Sequence, residues 1–482
     1  MSLSAMKETK SIVWFRQDLR LKENPALEFA VSLGKVLPIY ILDQENAGDW
    51  PPGKASRWWL HHSLASLDNA LNGSLCTFNG DPLKILTELI ADENINNVFW
   101  NRCYEPWQVS RDKTIKCEIK KLGLNVKSFN GSLLHEPWEV SKSDGTPYKV
   151  FTPYYRQTLS KGTPKKLNSD YLTNLNLVSN SKLSGKLDSL NLLSEDKWSK
   201  KMILNWTPGE DGAENSLVTF LTRGLPQYKR GRDYPSMEAV SRLSPHLHFG
   251  EVSPNHLWHA VTEFASHNKL DTQAEHYQRE LAWREFSYSL LHYFPDLDVK
   301  NLNNRFDQFP WSKNTELIKK WRAGQTGYPL IDAGMRELSN TGYMHNRVRM
   351  ITASFLVKNL LVDWRSGAQY FWDALVDADL ANNSCSWQWV AGSGADAAPY
   401  FRIFNPVTQS KKFDPDAKYI KQWIPELTDC PNKYIHDPSS APSSELKYFG
   451  IGIGKTYPSA IVDLKASREA ALNAYHSLKK IS

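Results

Sequence analysis

The chain has 482 residues, of which 41% are hydrophobic and 23% charged, with a formal net charge of +6. That is too long for one ordinary domain and apolar enough to bury a sizeable core, and no run approaches the ~18 apolar residues of a membrane span. The start, Met1 to Lys10, is polar and lacks a signal-peptide core, so a cytoplasmic location is expected. The cysteines, Cys76, Cys103, Cys117, Cys385 and Cys430, form no C-x-x-C pair, which predicts reduced thiols and gives a metal site no support. A charge of +6 alone is a weak pointer to a polyanionic partner. The 18 Trp, against 19 Phe and 20 Tyr, leave room for stacking or electron-transfer roles beside core packing.

In chain order, apolar runs predict strands at Ser11–Phe15, Val36–Leu42, Leu75–Phe78, Asn97–Trp100 and Asn125–Phe129. Helical stretches near Arg57–Leu71, Pro82–Glu93 and Ser110–Leu122 lie between them. Such alternation predicts an α/β fold with a doubly wound parallel sheet, whose ligands bind beyond the carboxyl ends of the strands. The loop after the first strand, Arg16–Arg20, is one such place. No G-x-G-x-x-G follows that strand, so a nicotinamide-type dinucleotide site is unsupported there.

From about Lys161 to Leu193, Ser, Asn, Lys and Leu in loose order predict a long connection. Beyond Glu214 the pattern is helical, most clearly at Gln273–Tyr293 and Tyr343–Leu361, with a last helix at Leu464–Lys479. The expected organisation is an α/β domain over 1–135, a connector over 136–213, and an all-α domain over 214–482.

Six stretches carry a resemblance. They are Ser241–Leu247 (SRLSPHL), Glu280–Phe286 (ELAWREF), Gly327–Ala333 (GYPLIDA), Met344–Met350 (MHNRVRM), Trp387–Trp389 (WQW) and Asp396–Pro406 (DAAPYFRIFNP). Together, in this order, they resemble the DNA photolyase/cryptochrome family over nearly the whole chain, nearest to cyclobutane pyrimidine dimer photolyases of the class I/III type. The resemblance implies an all-α FAD-binding domain, UV-damaged DNA as partner, no metal, and a monomer.

Read alone, Ser241–Ser244 is as much a capping turn as a phosphate site. The resemblance assigns Tyr228, Ser241, Arg242, Leu243 and Ser244 to the FAD phosphates, with Val240 standing where many relatives carry Thr. Glu280, Trp283 and Arg284 fall at i, i+3 and i+4 and share one helix face; such a set is commonly a solvated Glu–Arg pair beside a core Trp. In the family the matching Glu hydrogen-bonds the damaged bases and the Trp stacks on them, a base–Trp stack contributing ~1–3 kcal/mol. Trp283 also borders the flavin.

Asn346 and Met350 lie four apart on a helical face, Met being by itself the better bet as core filler. The resemblance makes them a discriminator: photolyases for the (6-4) photoproduct carry histidines there as proton donors. Asp377, Ala378, Asp379 and Asn383, near Arg347 and Arg349, read alone as a structural ion-pair network. In the family the Asp-Ala-Asp segment contacts the flavin, an Arg–Asp pair (here Arg349 with Asp377) lies over the ring, and Asn383 faces flavin N5. An amide is no comparable acid to the Asp of plant cryptochromes at that place, which favours repair over signalling.

Trp387, Trp364 and Trp311, otherwise ordinary core residues, match the tryptophan chain that feeds electrons to the flavin. Arg232, Arg347 and Arg402 match the DNA-facing side, and Trp389 joins Trp283 in clasping the dimer. The implied activity is a deoxyribodipyrimidine photolyase: photoexcited reduced FAD passes an electron to a flipped-out dimer. A cryptochrome photoreceptor and a (6-4) photolyase are the alternatives. A second antenna chromophore is expected in the first domain. Tyr104–Gln108 departs from folate-binding relatives, with Trp107-Gln108 in place of Asn-Glu, so methenyltetrahydrofolate in another pose, a deazaflavin and no chromophore all stay open, the folate being favoured.

Overall fold

The computed structural model describes residues 9–178, 185–194, 197–397 and 401–478. Ala398, Pro399 and Tyr400 of the last resemblance motif, the start up to residue 8, and Lys479 lie outside the described residues. The chain divides into two compact units, one of Met1–Tyr148, Thr152–Leu221 and Ser241–Pro295, the other of Lys149–Phe151, Thr222–Val240 and Asp296–Ser482.

The first unit is built on five parallel strands, β1 (Thr9–Phe15), β2 (Gly34–Leu42), β3 (Cys76–Asn79), β4 (Asn97–Asn101) and β5 (Asn125–Phe129), in the order β3-β2-β1-β4-β5. β1 is central, and its Ile12, Val13, Trp14 and Phe15 are wholly buried because helices cover both faces of such a sheet. All five predicted strands are present, each within two residues at its ends.

Helices α1 (Pro25–Val31), α2 (Lys54–Ala70), α3 (Pro82–Asp92) and α4 (Pro106–Lys121) make the crossovers. Periodicity over seven residues is too short to reveal α1, but its start was written in Asn24-Pro25: the Asn24 side chain accepts from Leu27 N at 3.1 Å and Pro25 fixes the first helical φ. Among its described residues the long connection carries short 3-10 turns, Asp170–Asn174 and Leu187–Leu190, and returns to the sheet at Val36↔Leu177 and Thr77↔Gly185.

The crest of the sheet between β1 and β4, beyond the carboxyl ends of the strands where such sheets bind ligands, is packed with side chains. Arg16 bonds Asp112 at 2.5 Å, and Arg111 bonds Asp43 at 3.0 Å and Asp112 at 2.8 Å. Both guanidiniums lie on Trp14, at 4.6 and 4.8 Å from its ring centroid. The Arg16–Arg20 loop is likewise buried, with Arg20 donating to the carbonyls of Gly250 at 2.9 Å and Gly131 at 2.7 Å. Four charges that satisfy one another leave that loop a packed element rather than a ligand loop.

The second unit is helical. In Gly327–Ala333 the buried Asp332 carboxylate accepts from Thr326 N and Oγ1, each at 2.7 Å, from Gly327 N at 3.0 Å and from Tyr457 Oη at 2.7 Å. Gly327 has φ +79°, and a Cβ there would stand 2.5 Å from Ala460 N, so this motif is structural. The expected helix Tyr343–Leu361 starts later, at Asn346, because His345 caps it, and its end passes into a π turn, Phe355–Asn359.

Candidate active site

In the first unit, Ser241–Leu243 leads into the short helix Ser244–His248. Arg242 adopts a left-handed φ of 54° and lays its guanidinium 4.2 Å from the Trp206 ring, while the Ser241 hydroxyl accepts from Leu243 N at 3.3 Å. Leu243, at the N-cap, supplies no side-chain cap to that helix. The segment is held from below. Glu251 accepts from Trp59 Nε1 at 2.9 Å and hydrogen-bonds His246 Nδ1 at 2.5 Å, all three side chains being buried.

Helix Asp271–Tyr293 places Glu280 and Trp283 half-buried, one turn apart. Trp283 meets Phe286 edge-on at 5.8 Å. Arg284, expected beside them, donates to the Ser132 carbonyl at 2.9 Å and lies 4.9 Å over the Tyr288 ring, almost out of solvent. Its neighbour Glu285 is fully buried; burial pushes that carboxyl up to about 7, against the pull of Arg284 and the His135 and Leu134 N–H groups.

In the second unit, helix Asn346–Ser354 begins with Asn346 exposed at its first position and Met350 one turn on. His345 precedes it; its Nδ1 accepts from Arg347 N at 3.2 Å, which leaves the proton on Nε2. Nε2 is buried without a hydrogen-bond partner among the described residues, and burial, with Arg347 and Arg349 nearby, pushes the imidazole down to about 3. Arg347 bonds Asp233 Oδ1 at 2.5 Å and reaches Met350 Sδ at 3.6 Å. Arg232, next to Asp233, lies 5.5 Å over the ring of buried Tyr228.

Arg349 pairs with Asp377 at 2.9 Å, as the resemblance implies. Asp379 caps helix Leu380–Ala391, accepting from Asn382 N at 2.8 Å, with buried Ala378 before it. Asn383 Nδ2 donates to the Ala368 carbonyl of helix Trp364–Ala374 at 3.0 Å. One turn on, Trp387 packs on the same helix at Gly367, where a Cβ would lie 2.1 Å from Trp387 Cη2. Small residues at 367 and 368 thus let Asn383 and Trp387 approach side by side.

Trp364 is wholly buried and donates to Asn301 Oδ1 at 2.9 Å; Trp311 is half-buried with Phe309 at 4.2 Å. Trp387 also meets Trp321 at 6.4 Å and Phe371 at 5.0 Å. Trp389 is half-buried and Arg402 exposed. His345, Asp233, Trp321 and Glu285 escaped the sequence reading. Of these, only His345 left a local signal, a cap-forming side chain just before the Asn346 helix.

In the second unit the Arg349–Asp377 pair, near a buried imidazole N–H that has no hydrogen-bond partner among the described residues, is a donor set that suits a flavin. No group of three or more His, Cys, Asp or Glu that could hold a metal occurs among the described residues, and none of their helices is long and apolar enough to cross a membrane.

The family profile described as the FAD binding domain of DNA photolyase matches residues 277–477, and that of DNA photolyase matches 11–170. A deoxyribodipyrimidine photo-lyase of Agrobacterium fabrum is 47% identical, with 99% of each chain covered. Cryptochrome-2 of Arabidopsis thaliana is 36% identical over 97% of this chain and 79% of its own. The crystal structure of a bacterial class III photolyase from Agrobacterium tumefaciens superposes with a TM-score of 0.93 at 45% identity, covering 99% of both chains. The chain belongs to the DNA photolyase/cryptochrome family.

Proposed function

We propose that this chain is a deoxyribodipyrimidine photolyase, a light-dependent enzyme that splits cyclobutane pyrimidine dimers in UV-damaged DNA. FAD, when bound in its reduced form, supplies on absorbing blue light the electron that opens the dimer. The observation that carries the choice of substrate is that Asn346, Met350 and Asn383 offer no titratable proton, and the Asn383 amide is already donated to Ala368. That chemistry suits electron transfer and back-transfer better than the proton-assisted (6-4) reaction.

In this reading Tyr228, Ser241–Ser244, Asn346, Asp377, Ala378, Asp379 and Asn383 hold FAD, with Arg349 fixed by Asp377. Glu280 donates or accepts at the dimer's polar edge, and Trp283 and Trp389 stack on it. Arg232, Arg347 and Arg402 meet the DNA backbone and Met350 lines the pocket. Arg284, engaged by Ser132, steadies the Glu280 helix instead. Trp387, Trp364 and Trp311 feed electrons inward.

The α/β domain over 1–135 carries the antenna, the connector runs over 136–213, and the catalytic domain over 214–482. The crest filled by Arg16, Arg111, Asp43 and Asp112 disfavours a flavin-sized antenna between β1 and β4, so a folate held elsewhere on the domain is preferred. The absence of a disulfide among the described residues suits a cytoplasmic protein, which in this reading acts as a monomer.

The test uses the photoreduced holoprotein with UV-irradiated oligothymidine under blue light, following absorbance at the thymine band against a dark control. Recovery in the light alone is expected. A protein shown to hold reduced FAD that restores nothing overturns dimer repair.

A further inference from the structure

Helix Asn346–Ser354 ends in the π turn Phe355–Asn359, and Lys358 in that turn is 1% exposed. π turns push a side chain out of the regular helical track and recur at functional places. A buried ammonium ordinarily has a carboxylate beside it. Lys358 has no ion pair among the described residues. Its Nζ stands 3.2 Å from the centroid of the Phe401 ring and 3.5 Å from the Arg402 carbonyl oxygen. Burial pushes the amine down to about 7; a π face and a carbonyl oxygen at these distances favour its charged form.

Two further facts show what the amine joins. Gly392, φ +93°, ends helix Leu380–Ala391, which carries Trp387 and Trp389; its N–H returns to the Gln388 carbonyl at 2.9 Å. A Cβ on Gly392 would lie 3.7 Å from Lys358 Nζ and 3.3 Å from Phe401 Cδ2, so glycine lets the amine and the ring approach the carbonyl end of that helix. A cation there is favoured by the helix dipole. On the other side, Phe401 stacks on Tyr475 at 4.5 Å with 11° between planes, and Phe404 N donates to Ser354 Oγ at 3.4 Å. The backbone of residues 401–404 is thereby pinned while the Arg402 side chain remains exposed.

We propose that Lys358 is a positioning residue for damaged DNA: its buried ammonium ties the end of the Trp389 helix to the Phe401–Arg402 backbone, so that Trp389 and Arg402 engage the strand at a set separation. The proposal rests on the repair reading above, in which those two residues touch DNA. Lys358 itself touches neither DNA nor flavin.

The test compares Lys358→Met and Lys358→Arg with the wild-type holoprotein on UV-irradiated oligothymidine. Lys358→Met is expected to raise KM and Kd about tenfold, the scale of one charge-assisted contact, with kcat within about twofold. Lys358→Arg, which keeps the cation, restores most of the affinity. In a double-mutant cycle, Lys358→Met added to Arg402→Ala costs little more than Arg402→Ala alone. Unchanged affinity in Lys358→Met, or an effect fully additive with Arg402→Ala, overturns the proposal. Should Lys358→Met not fold, Phe401→Leu, which removes the ring under the amine, is put through the same cycle: weakened, non-additive binding supports the tether, and unchanged or additive binding overturns it. Wild-type protein that holds FAD but binds no dimer-containing DNA would instead remove the repair reading.

Discussion

Arg349 holds the Asp377 carboxylate at 2.9 Å while its Nε donates to the Met344 carbonyl at 2.6 Å, so one guanidinium locks a helix to the Asp377–Asp379 segment. The Asp377 side chain is 4% exposed, and breaking such a pair strands a charge away from water. Asp377→Asn is expected to cost about 3 kcal/mol of stability and to leave the purified protein short of FAD. The ratio of flavin to protein absorbance, with a denaturant titration, checks both.

Trp283 stands half-buried one turn from Glu280 on the same face. Trp283→Ala removes a stacking surface worth ~1–3 kcal/mol, so affinity for dimer-containing oligothymidine is expected to fall about tenfold or more. A binding titration in the dark measures it; equal affinity would show that the dimer does not stack there.

Two buried titratable groups, His345 and Glu285, act in opposite senses. His345 has its pKa lowered from 6.5 to about 3, so between those values the unfolded chain binds the extra proton. Its contribution to stability is full above 6.5 and is lost as the pH falls toward 3. Glu285 has its pKa raised from 4.5 to about 7, so its contribution is full below 4.5 and is lost as the pH rises through 7. Denaturant midpoints from pH 4 to pH 8 should rise less steeply with pH in His345→Asn, which keeps a capping side chain, and should fall less with pH in Glu285→Gln.

Gly367→Ala forces a methyl to 2.1 Å from Trp387 Cη2. Overpacking of this kind typically costs about 1–3 kcal/mol, and Trp387 must move. A lower Tm and slower photoreduction of bound flavin by an external thiol are expected together. Slower photoreduction without a stability change would place the effect elsewhere.

Asn383→Asp sets a carboxylate oxygen against the Ala368 carbonyl that now accepts the amide N–H at 3.0 Å. Loss of that bond, with two acceptors left facing, should destabilise the protein by about 1–3 kcal/mol. Chemical denaturation of the flavin-free protein isolates this from any flavin effect.

The strands of the first unit were readable because each is a short apolar run between turn residues. α1 was not, since seven residues give barely two turns of periodicity and only its Asn24-Pro25 cap announces it. At the candidate site the Arg349–Asp377 pair could be anticipated across 28 positions through the resemblance. The partners that hold these residues in place could not. Glu251 meets Trp59 across 192 positions, and Asp233 meets Arg347 across 114. Such pairings follow from tertiary packing and leave no period or spacing in the sequence. The closed crest of the sheet was misread for the same reason: Arg16 next to a strand end looks like a ligand contact until Asp112 is brought beside it.

The tether from Arg20 to the Gly250 carbonyl has a bearing on how the chain is made. Leu19 N also donates to the Phe249 carbonyl at 3.0 Å, and a Cβ on Gly250 would sit 2.1 Å from the Gln17 carbonyl oxygen. The loop that follows the first strand therefore waits for a partner 230 residues later. At synthesis rates of about 5–20 residues per second, that is a delay of roughly 10–50 seconds on the ribosome. During it the Arg20 guanidinium lacks one of its carbonyls, and the nascent sheet is short of its final packing. Release of a chain truncated before Gly250 should thus yield a sticky, protease-sensitive intermediate, whereas one extended past Pro295 completes the unit.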